Sequence, residues 1–203
     1  MTVPRPRPLE MAVRRFLGPS LCTLALVLAP PVSQSAAVDA GGAASVISLK
    51  ARDDAGRRAE GRGSSSEPSL AEIEALEQEC LEQVAIQRKA RGLPKLAYSE
   101  ELLNVARAYS RRMAEEKFFS HVDPEGRTVQ QRVREAGIRW TALGENLALS
   151  TGYVNPVAAA LNGWMGSPGH RRNILAPDYQ RTAVGAWIDL KGAVYFTEIF
   201  IKE

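Results

Sequence analysis

The most constraining feature of the sequence is a pair of apolar segments at the end of the chain. Residues 182–188 and 193–201 are rich in β-branched and aromatic residues, and Asp189-Leu190-Lys191-Gly192 between them has the composition of a turn. This pattern predicts an antiparallel hairpin. The earlier segments have helical periodicity, with predicted helix starts at Ser69, Ser99, Thr128 and Asn155. We therefore expect an α+β domain, with helices packed on a small antiparallel sheet.

The N-terminal 68 residues have a different composition. Residues 1–37 resemble a secretory signal peptide, because arginines precede a short apolar run and small residues follow it. The run is too short to span a bilayer, so we expect no membrane span after signal cleavage. Residues 38–68 are poor in large apolar side chains and are predicted to form a flexible linker. The folded domain is expected over residues 69–203, in a secreted or periplasmic protein.

The charge distribution argues against a nucleic-acid-binding protein, and the cysteine content argues against a disulfide-bonded domain. The chain has 26 Lys and Arg against 23 Asp and Glu, but residues 69–203 carry 17 of each. The basic excess lies before the predicted domain, so we expect no nucleic-acid partner. Signal cleavage would remove Cys22 and leave Cys80 alone, so we expect no internal disulfide. Cys80 lies on the apolar side of a predicted helix and is expected to be a buried apolar side chain.

The side chains with the most chemical potential are His121, Glu145, His170 and, more weakly, Glu198. Two neutral imidazoles and a carboxylate suit zinc and leave one coordination position open for water. Their spacing is not that of a local metal motif, so histidines that only hydrogen-bond the backbone of turns are the alternative. Glu198 either joins the same site or lies at a sheet edge, paired with an arginine.

The segment around His170 is predicted to be a helix start. In Ser167-Pro168-Gly169-His170, Ser167 has the form of a helix cap and Pro168 suits the first helical position. His170 would then lie in the first turn, where the positive end of the helix favours a neutral imidazole. The whole stretch from Gly144 to Leu175, which carries both Glu145 and His170, is interpreted as a site held by turns.

Several short motifs follow one another along the chain. They are Leu93-Pro94-x-Leu96, Phe119-Ser120-His121-x-Asp123-x-x-Gly126, Arg132, Gly137, Gly144-Glu145-Asn146-Leu147, Trp164-Met165-x-Ser167-Pro168-Gly169-His170-Arg171-x-Asn173-Ile174-Leu175 and Val184-Gly185. Their order over residues 70–200 resembles the CAP (SCP-like) superfamily, especially its bacterial, disulfide-free branch with YkwD-like domains. The resemblance implies a three-layer α-β-α sandwich with a shallow cavity, whose histidines and glutamates can hold a divalent metal, often zinc.

The resemblance places His121, Glu145 and His170 on the cavity positions of the family. The match has departures: Gly166 and Ser167 lie where many eukaryotic members have a second cavity glutamate, and Ala85 replaces an asparagine that often precedes the equivalent of Arg88 by three residues. The four-residue site is therefore incomplete unless Glu198 reaches it.

Two functions follow as hypotheses. The first is a secreted or envelope-associated CAP-domain protein whose His/Glu cavity binds a divalent metal and which acts as a ligand- or partner-binding module, with lipids and cell-envelope components as candidate partners. The alternative is a metal-dependent hydrolase, a peptidase or esterase, that uses the same cavity. A serine mechanism would use Ser120 or Ser167 with a histidine and Glu145. A purely structural role for these side chains is a third hypothesis, so the sequence leaves open whether the protein is an enzyme.

Overall fold

The computed structural model describes residues 47–50 and 68–203. This part of the chain contains five α-helices and five β-strands. The helices are α1 (Leu70–Lys89), α2 (Glu100–Glu116), α3 (Val129–Glu135), α4 (Pro156–Gly166) and α5 (Pro168–Leu175). The strands are β1 (Ile47–Lys50), β2 (Ala97–Tyr98), β3 (Ala142–Thr151), β4 (Arg181–Ile188) and β5 (Val194–Lys202). The predicted signal peptide lies outside the described residues.

The helices begin where local hydrogen bonding favours a start. At α1, the Glu72 backbone N–H donates to the Ser69 hydroxyl, and the Ser69 N–H donates to the Glu72 carboxylate. Ser99 caps α2 in the same way, by accepting from the Leu102 N–H. These contacts satisfy N–H groups that have no partner inside the helix. The predicted starts of these two helices are confirmed.

The five strands form one mixed sheet in the order β1-β3-β5-β4-β2. The three central strands are antiparallel, and β4 and β5 form the predicted hairpin, with Ile188 opposite Val194. The short outer strands β1 and β2 run parallel to β3 and β4. The sheet is therefore antiparallel only at its centre, because each outer strand is joined to its neighbour by a crossover rather than a tight turn.

Helices cover both faces of the sheet and create an α-β-α sandwich, as the resemblance implies. Trp164 of α4 packs with Phe196 of β5 on the face covered by α1, α4 and α5. Leu102 of α2 and Val133 of α3 pack with Ile199 of β5 on the opposite face. The predicted alternation along β5 is confirmed, since successive side chains enter the two core layers.

Helix α2 approaches β4 so closely that glycine is required at the contact. A Cβ atom on Gly185 would lie 2.0 Å from the backbone nitrogen of Arg107. Both groups belong to backbone within regular elements, so neither can move aside cheaply. The absence of a side chain at Gly185 thus sets the spacing between α2 and the sheet.

Two sequence interpretations need correction. The stretch from Gly144 to Leu175 is expected to be a site held by turns, but its first residues, Gly144-Glu145-Asn146-Leu147, lie within β3 and pair with β5. Residues 38–68 were predicted to be a flexible linker, but Ile47–Lys50 within them pairs with Ala148–Thr151 of β3. Its four residues alternate between partly buried and exposed, which suits an edge strand. The rest of that segment up to residue 67 lies outside the described residues.

Cys80 is fully buried and free, as expected from its place on α1. Its burial raises the pKa of the thiol well above the usual value, an effect increased by the nearby carboxyl of Glu198. None of the helices in residues 68–203 is long and apolar enough to cross a membrane.

Candidate functional site

His121 lies in a loop that is fixed by a buried carboxylate. The side chain of Asp123 accepts hydrogen bonds from the backbone N–H groups of Glu125 and Arg127 and from the guanidinium groups of Arg112 and Arg127. Burial would raise the pKa of Asp123, but these hydrogen bonds and charges hold it below its ordinary value. The loop after α2 is therefore rigidly anchored next to His121.

Glu145 projects from β3 and contacts two cationic or titratable side chains. One carboxylate oxygen lies 2.6 Å from His121 Nδ1, and the other lies 2.5 Å from Arg132 Nη2. The Glu145 side chain is only 2% exposed, whereas that of His121 is 16% exposed. Solvent therefore reaches this pair through the imidazole.

Arg132 is a site residue whose role sequence reasoning missed. Its guanidinium carbon lies 3.4 Å from the centroid of the Tyr109 ring, and Nη1 donates to the carbonyl of Arg127. The Tyr109 hydroxyl in turn donates to the Ser120 carbonyl at 2.6 Å. Arg132 lies between Val129 and Val133, the two buried residues of α3, and this apolar neighbourhood is the only local signal in the helix for its inward position. The guanidinium fixes Glu145 and joins α3 to β3.

His170 approaches His121 from the opposite layer of the sandwich. The two imidazole rings are nearly parallel, with centroids 6.5 Å apart. Because β1 pairs with β3 only from Ala148 onward, the first half of β3 has no described strand on its side away from β5. The loop after α2 and the start of α5 meet along this open edge, and this contact brings the two predicted histidines together with Glu145.

The environment of His170 favours its neutral form. Burial, and secondarily the nearby His121, lower the pKa of His170 to about 4. The N-cap interpretation of Ser167 is correct only for the backbone, because its side chain makes no capping hydrogen bond. The Ser167 hydroxyl instead lies 3.0 Å from His170 Nδ1 and orients the ring. A neutral imidazole retains a lone pair for a metal or a proton.

An amide network ties α5 to β3. The Asn146 side-chain N–H donates to the His170 carbonyl at 3.3 Å. The Asn173 side chain donates to the Asn146 amide oxygen and to the Glu145 carbonyl, at 2.9 and 3.2 Å. Gly144 permits this approach, since a Cβ there would lie 2.5 Å from the Tyr179 hydroxyl. The relative positions of Glu145 and His170 are thus held by uncharged hydrogen bonds.

Glu198 does not join this cluster. It lies opposite Asn146 on the central strand β5, on the sheet face covered by α1, α4 and α5, whereas Glu145 points to the other face. The expectation of an edge carboxylate paired with an arginine is also wrong, because β5 is central and Glu198 is fully buried. Burial raises the pKa of Glu198 to about 8, although the Asn146 amide and the charge of Arg88 oppose this shift.

The cluster leaves a specific pair of atoms available for binding. Each histidine uses Nδ1 in the contacts above, so Nε2 of each ring can take a further partner. Both oxygens of Glu145 are already engaged. Among the described residues, no group of three or more His, Cys, Asp or Glu side chains is arranged to hold a metal ion. The groups that remain for a further partner are the two imidazole Nε2 atoms, and the hydrogen bond between Glu145 and His121 is a path along which a proton can pass.

Comparison with known proteins gives consistent matches. The model of the cysteine-rich secretory protein family, CAP, matches residues 81–200. The chain is 36% identical over 115 residues to the uncharacterized membrane protein YlbC of Bacillus subtilis, and 34% identical over 99 residues to YkwD of the same organism. These regions cover 57% and 49% of this chain but only 31% and 37% of the relatives, so the chain spans about a third of their length.

Solved structures share the fold. A crystal structure of an extracellular protein containing an SCP domain from Bacillus anthracis is 26% identical, with a TM-score of 0.59, and the match covers 68% of this chain and 45% of that one. An outer surface protein of Borrelia burgdorferi matches with the same TM-score at 21% identity, over 68% of this chain and 98% of that one. The second likeness concerns the fold alone.

Proposed function

Since the chain belongs to the cysteine-rich secretory protein (CAP) family, we propose that it is an extracellular or envelope-associated binding module whose His121, Glu145 and His170 cluster binds a divalent metal such as zinc. The single observation that carries this proposal is the convergence of two imidazoles from opposite layers, with a carboxylate 2.6 Å from one of them. A fold alone does not fix a function, so the proposal depends on this geometry.

The donor set fits a divalent metal. Histidines that bind metals commonly give their second ring nitrogen to a carboxylate or another oxygen, which fixes the tautomer and the ring orientation. His121 has Glu145 in this role, and His170 has the hydroxyl of Ser167. Nε2 of each ring would hold the metal, which supplies Lewis acidity when bound. That Glu145 binds the metal directly stays a prediction of the sequence; in the geometry described here it orients His121.

A location outside the cytoplasm has two supports. The predicted signal peptide would direct export. The SCP-domain structure from Bacillus anthracis, 26% identical to this chain, is described as an extracellular protein. A ligand of the cell envelope, including a lipid, is the proposed partner class.

The serine form of the hydrolase alternative has little support in the geometry. A serine mechanism needs a hydroxyl, an imidazole and a carboxylate in one chain of contacts. Ser167 contacts His170, whereas Glu145 contacts His121, so the carboxylate lies on the other imidazole. The hydroxyl of Ser120 accepts from the Val122 N–H in a local turn. These contacts disfavour a serine mechanism, and the metal-dependent hydrolase that would use the same cavity stays the alternative.

Zinc titration by calorimetry tests the proposal on protein purified without a nickel column. Wild-type protein should bind one zinc ion, and the variants His121→Ala and His170→Ala should each lose this binding. Glu145→Gln should retain it with roughly 10–100-fold weaker affinity if the carboxylate only orients His121. Unchanged zinc affinity in both histidine variants, with a retained fold by circular dichroism, would remove the metal from the proposal.

A further inference from the structure

Two charged side chains of the core have no part in the candidate metal site described above. Glu198 of β5 and Arg88 of α1 are both fully buried. Among the described residues, Glu198 Oε1 and Arg88 Nη2 have no hydrogen-bond partner. The charge of Arg88 acts on Glu198, but the two orphaned atoms do not hydrogen-bond each other. Because a buried acid costs free energy unless it is well paired, direct pairing with Arg88 does not explain the position of Glu198.

The second carboxyl oxygen of Glu198 faces Asn146, the residue directly opposite on β3. Asn146 Nδ2 lies 3.5 Å from Glu198 Oε2, a long hydrogen bond, and also donates to the His170 carbonyl at 3.3 Å. The Asn146 amide oxygen accepts from Asn173 at 2.9 Å. An amide group has two N–H donors and one oxygen, so these contacts use both ends of the Asn146 side chain. A rotated amide would bring its oxygen against the His170 carbonyl and its nitrogen against the Asn173 donor.

Helix α5 is held at its two ends by different residues. At the C-terminal end, Arg88 donates to the carbonyls of Ile174 and Ala176, each at 2.8 Å. In the first turn, Asn146 donates to the carbonyl of His170 at 3.3 Å. Hydrogen bonds from a guanidinium are charge-assisted and stronger than those from a neutral amide. The first turn, which carries the imidazole, is therefore the end whose position depends on the orientation of Asn146.

We propose that Glu198 is a positioning residue for His170, because its Oε2 orients the Asn146 amide that holds the first turn of α5. The inference rests on the proposed metal site, since His170 supplies one of its two imidazoles. It gives a buried acid on the opposite sheet face from Glu145 a part in that site.

Two substitutions of similar length separate hydrogen bonding at Glu198 from the packing of its side chain. Glu198→Gln keeps an oxygen that can accept from Asn146. Glu198→Met fills a similar volume with a flexible apolar side chain and offers only a weak acceptor. Phe196→Leu is the matched control for a general disturbance of the core, since Phe196 is fully buried on the same face of β5 and contacts Trp164.

Zinc titration by calorimetry on wild type and these three variants tests the proposal. Glu198→Met should weaken zinc binding by roughly 10-fold or more, whereas Glu198→Gln and Phe196→Leu should stay within about 3-fold of wild type. Equal affinities of Glu198→Met and wild type would overturn the inference. An equal loss in Phe196→Leu, or a loss in Glu198→Gln as large as that in Glu198→Met, would overturn it as well.

Amide hydrogen exchange on metal-free protein separates this inference from the proposed metal site. The Arg171 backbone N–H donates to the Ser167 carbonyl in the first turn of α5, at 2.9 Å. Its exchange should be roughly 10-fold faster in Glu198→Met than in Glu198→Gln, because the turn is less firmly held. Equal exchange in the two variants would overturn the inference whether or not wild type binds zinc. Faster exchange in a protein that binds no zinc would support the positioning of His170 and refute the metal site.

Wild type alone supplies a measurement that does not depend on the folding of a variant. Both side-chain amide protons of Asn146 are assigned to hydrogen bonds in the interior, one to His170 and one to Glu198. NMR should therefore show two separate resonances that exchange slowly with solvent. Fast exchange of the proton that faces Glu198 would overturn the inference.

Discussion

Arg132 and Glu145 form an ion pair inside the protein, with Nη2 and Oε1 2.5 Å apart and side chains only 9% and 2% exposed. The pair joins α3 to β3 and leaves the second carboxylate oxygen facing His121. The position of the candidate metal site therefore depends on a cation that is not itself a candidate ligand.

Arg132→Met should destabilise the protein by about 3 kcal/mol, because it leaves the buried Glu145 carboxylate without its cationic partner. Urea denaturation measures this loss. The control is Arg91→Met, where an exposed arginine contacts Gln87 and the expected change is within about 0.5 kcal/mol. Equal stabilities of the two variants would show that the Arg132 pair does not contribute to the fold.

His170 should make metal-free protein less stable in acid. Its folded-state pKa of about 4 lies below the ordinary value of 6.5, so the unfolded chain takes up a proton first as the pH falls. The stability of the folded protein with a neutral His170 is fully present above pH 6.5 and is lost progressively as the pH falls toward 4. From pH 7.5 to pH 5 the stability of wild type should fall by about 2 kcal/mol relative to His170→Gln. Urea denaturation with a chelator present measures the difference, and a pH-independent difference would refute a depressed pKa.

The ionisation of Glu198 should make the protein less stable as the pH rises, which is the opposite pH dependence from that of His170. Its folded-state pKa of about 8 lies above the ordinary value of 4.5, so the native state keeps a proton that the unfolded chain releases as the pH rises. Its contribution to stability is present below pH 4.5 and is lost toward pH 8. Between pH 5.5 and pH 8, Glu198→Gln should gain about 3 kcal/mol relative to wild type. Parallel stability curves for the two proteins would mean that Glu198 ionises normally.

Gly144→Ala should disturb the amide network under the site. The new methyl group would lie 2.5 Å from the Tyr179 hydroxyl and 3.1 Å from the Asn173 amide oxygen, and we expect a loss of about 1–3 kcal/mol. Gly166→Ala is the matched control, because no atom lies within 4 Å of its added Cβ, and its stability should stay the same or rise by less than about 1 kcal/mol. Thermal unfolding of both variants distinguishes these outcomes.

The sequence predicts the elements whose signals are local. The Ser69 and Ser99 caps mark helix starts because their partners lie three residues away. The alternation along β5 is visible because successive side chains enter different core layers. Strand β3 was missed because Glu145, Asn146 and Ser150 are buried polar residues within it, which removes the usual apolar alternation.

In the candidate site, too, the features with a local sequence signal were predicted and those that depend on tertiary contacts were not. His121, Glu145 and His170 were identified by residue type and by the family resemblance, and the structure brings all three together. The part played by Arg132 depends on a contact between α3 and β3 that no local spacing specifies. The side chain of Ser167 could not be assigned from sequence either, because its hydroxyl can reach a backbone N–H or the His170 ring equally well in a helix first turn.

The most direct test of the account is X-ray absorption at the zinc edge on protein loaded with one equivalent of zinc. Imidazole rings produce a characteristic outer-shell scattering pattern from which the number of histidine ligands is determined. Two imidazole ligands per zinc in the wild-type protein, and loss of the bound zinc in His170→Ala and in His121→Ala, is the result that the convergence of these rings predicts. Zinc coordinated by no imidazole in the wild-type protein, or unchanged zinc coordination in both variants, would contradict the central claim.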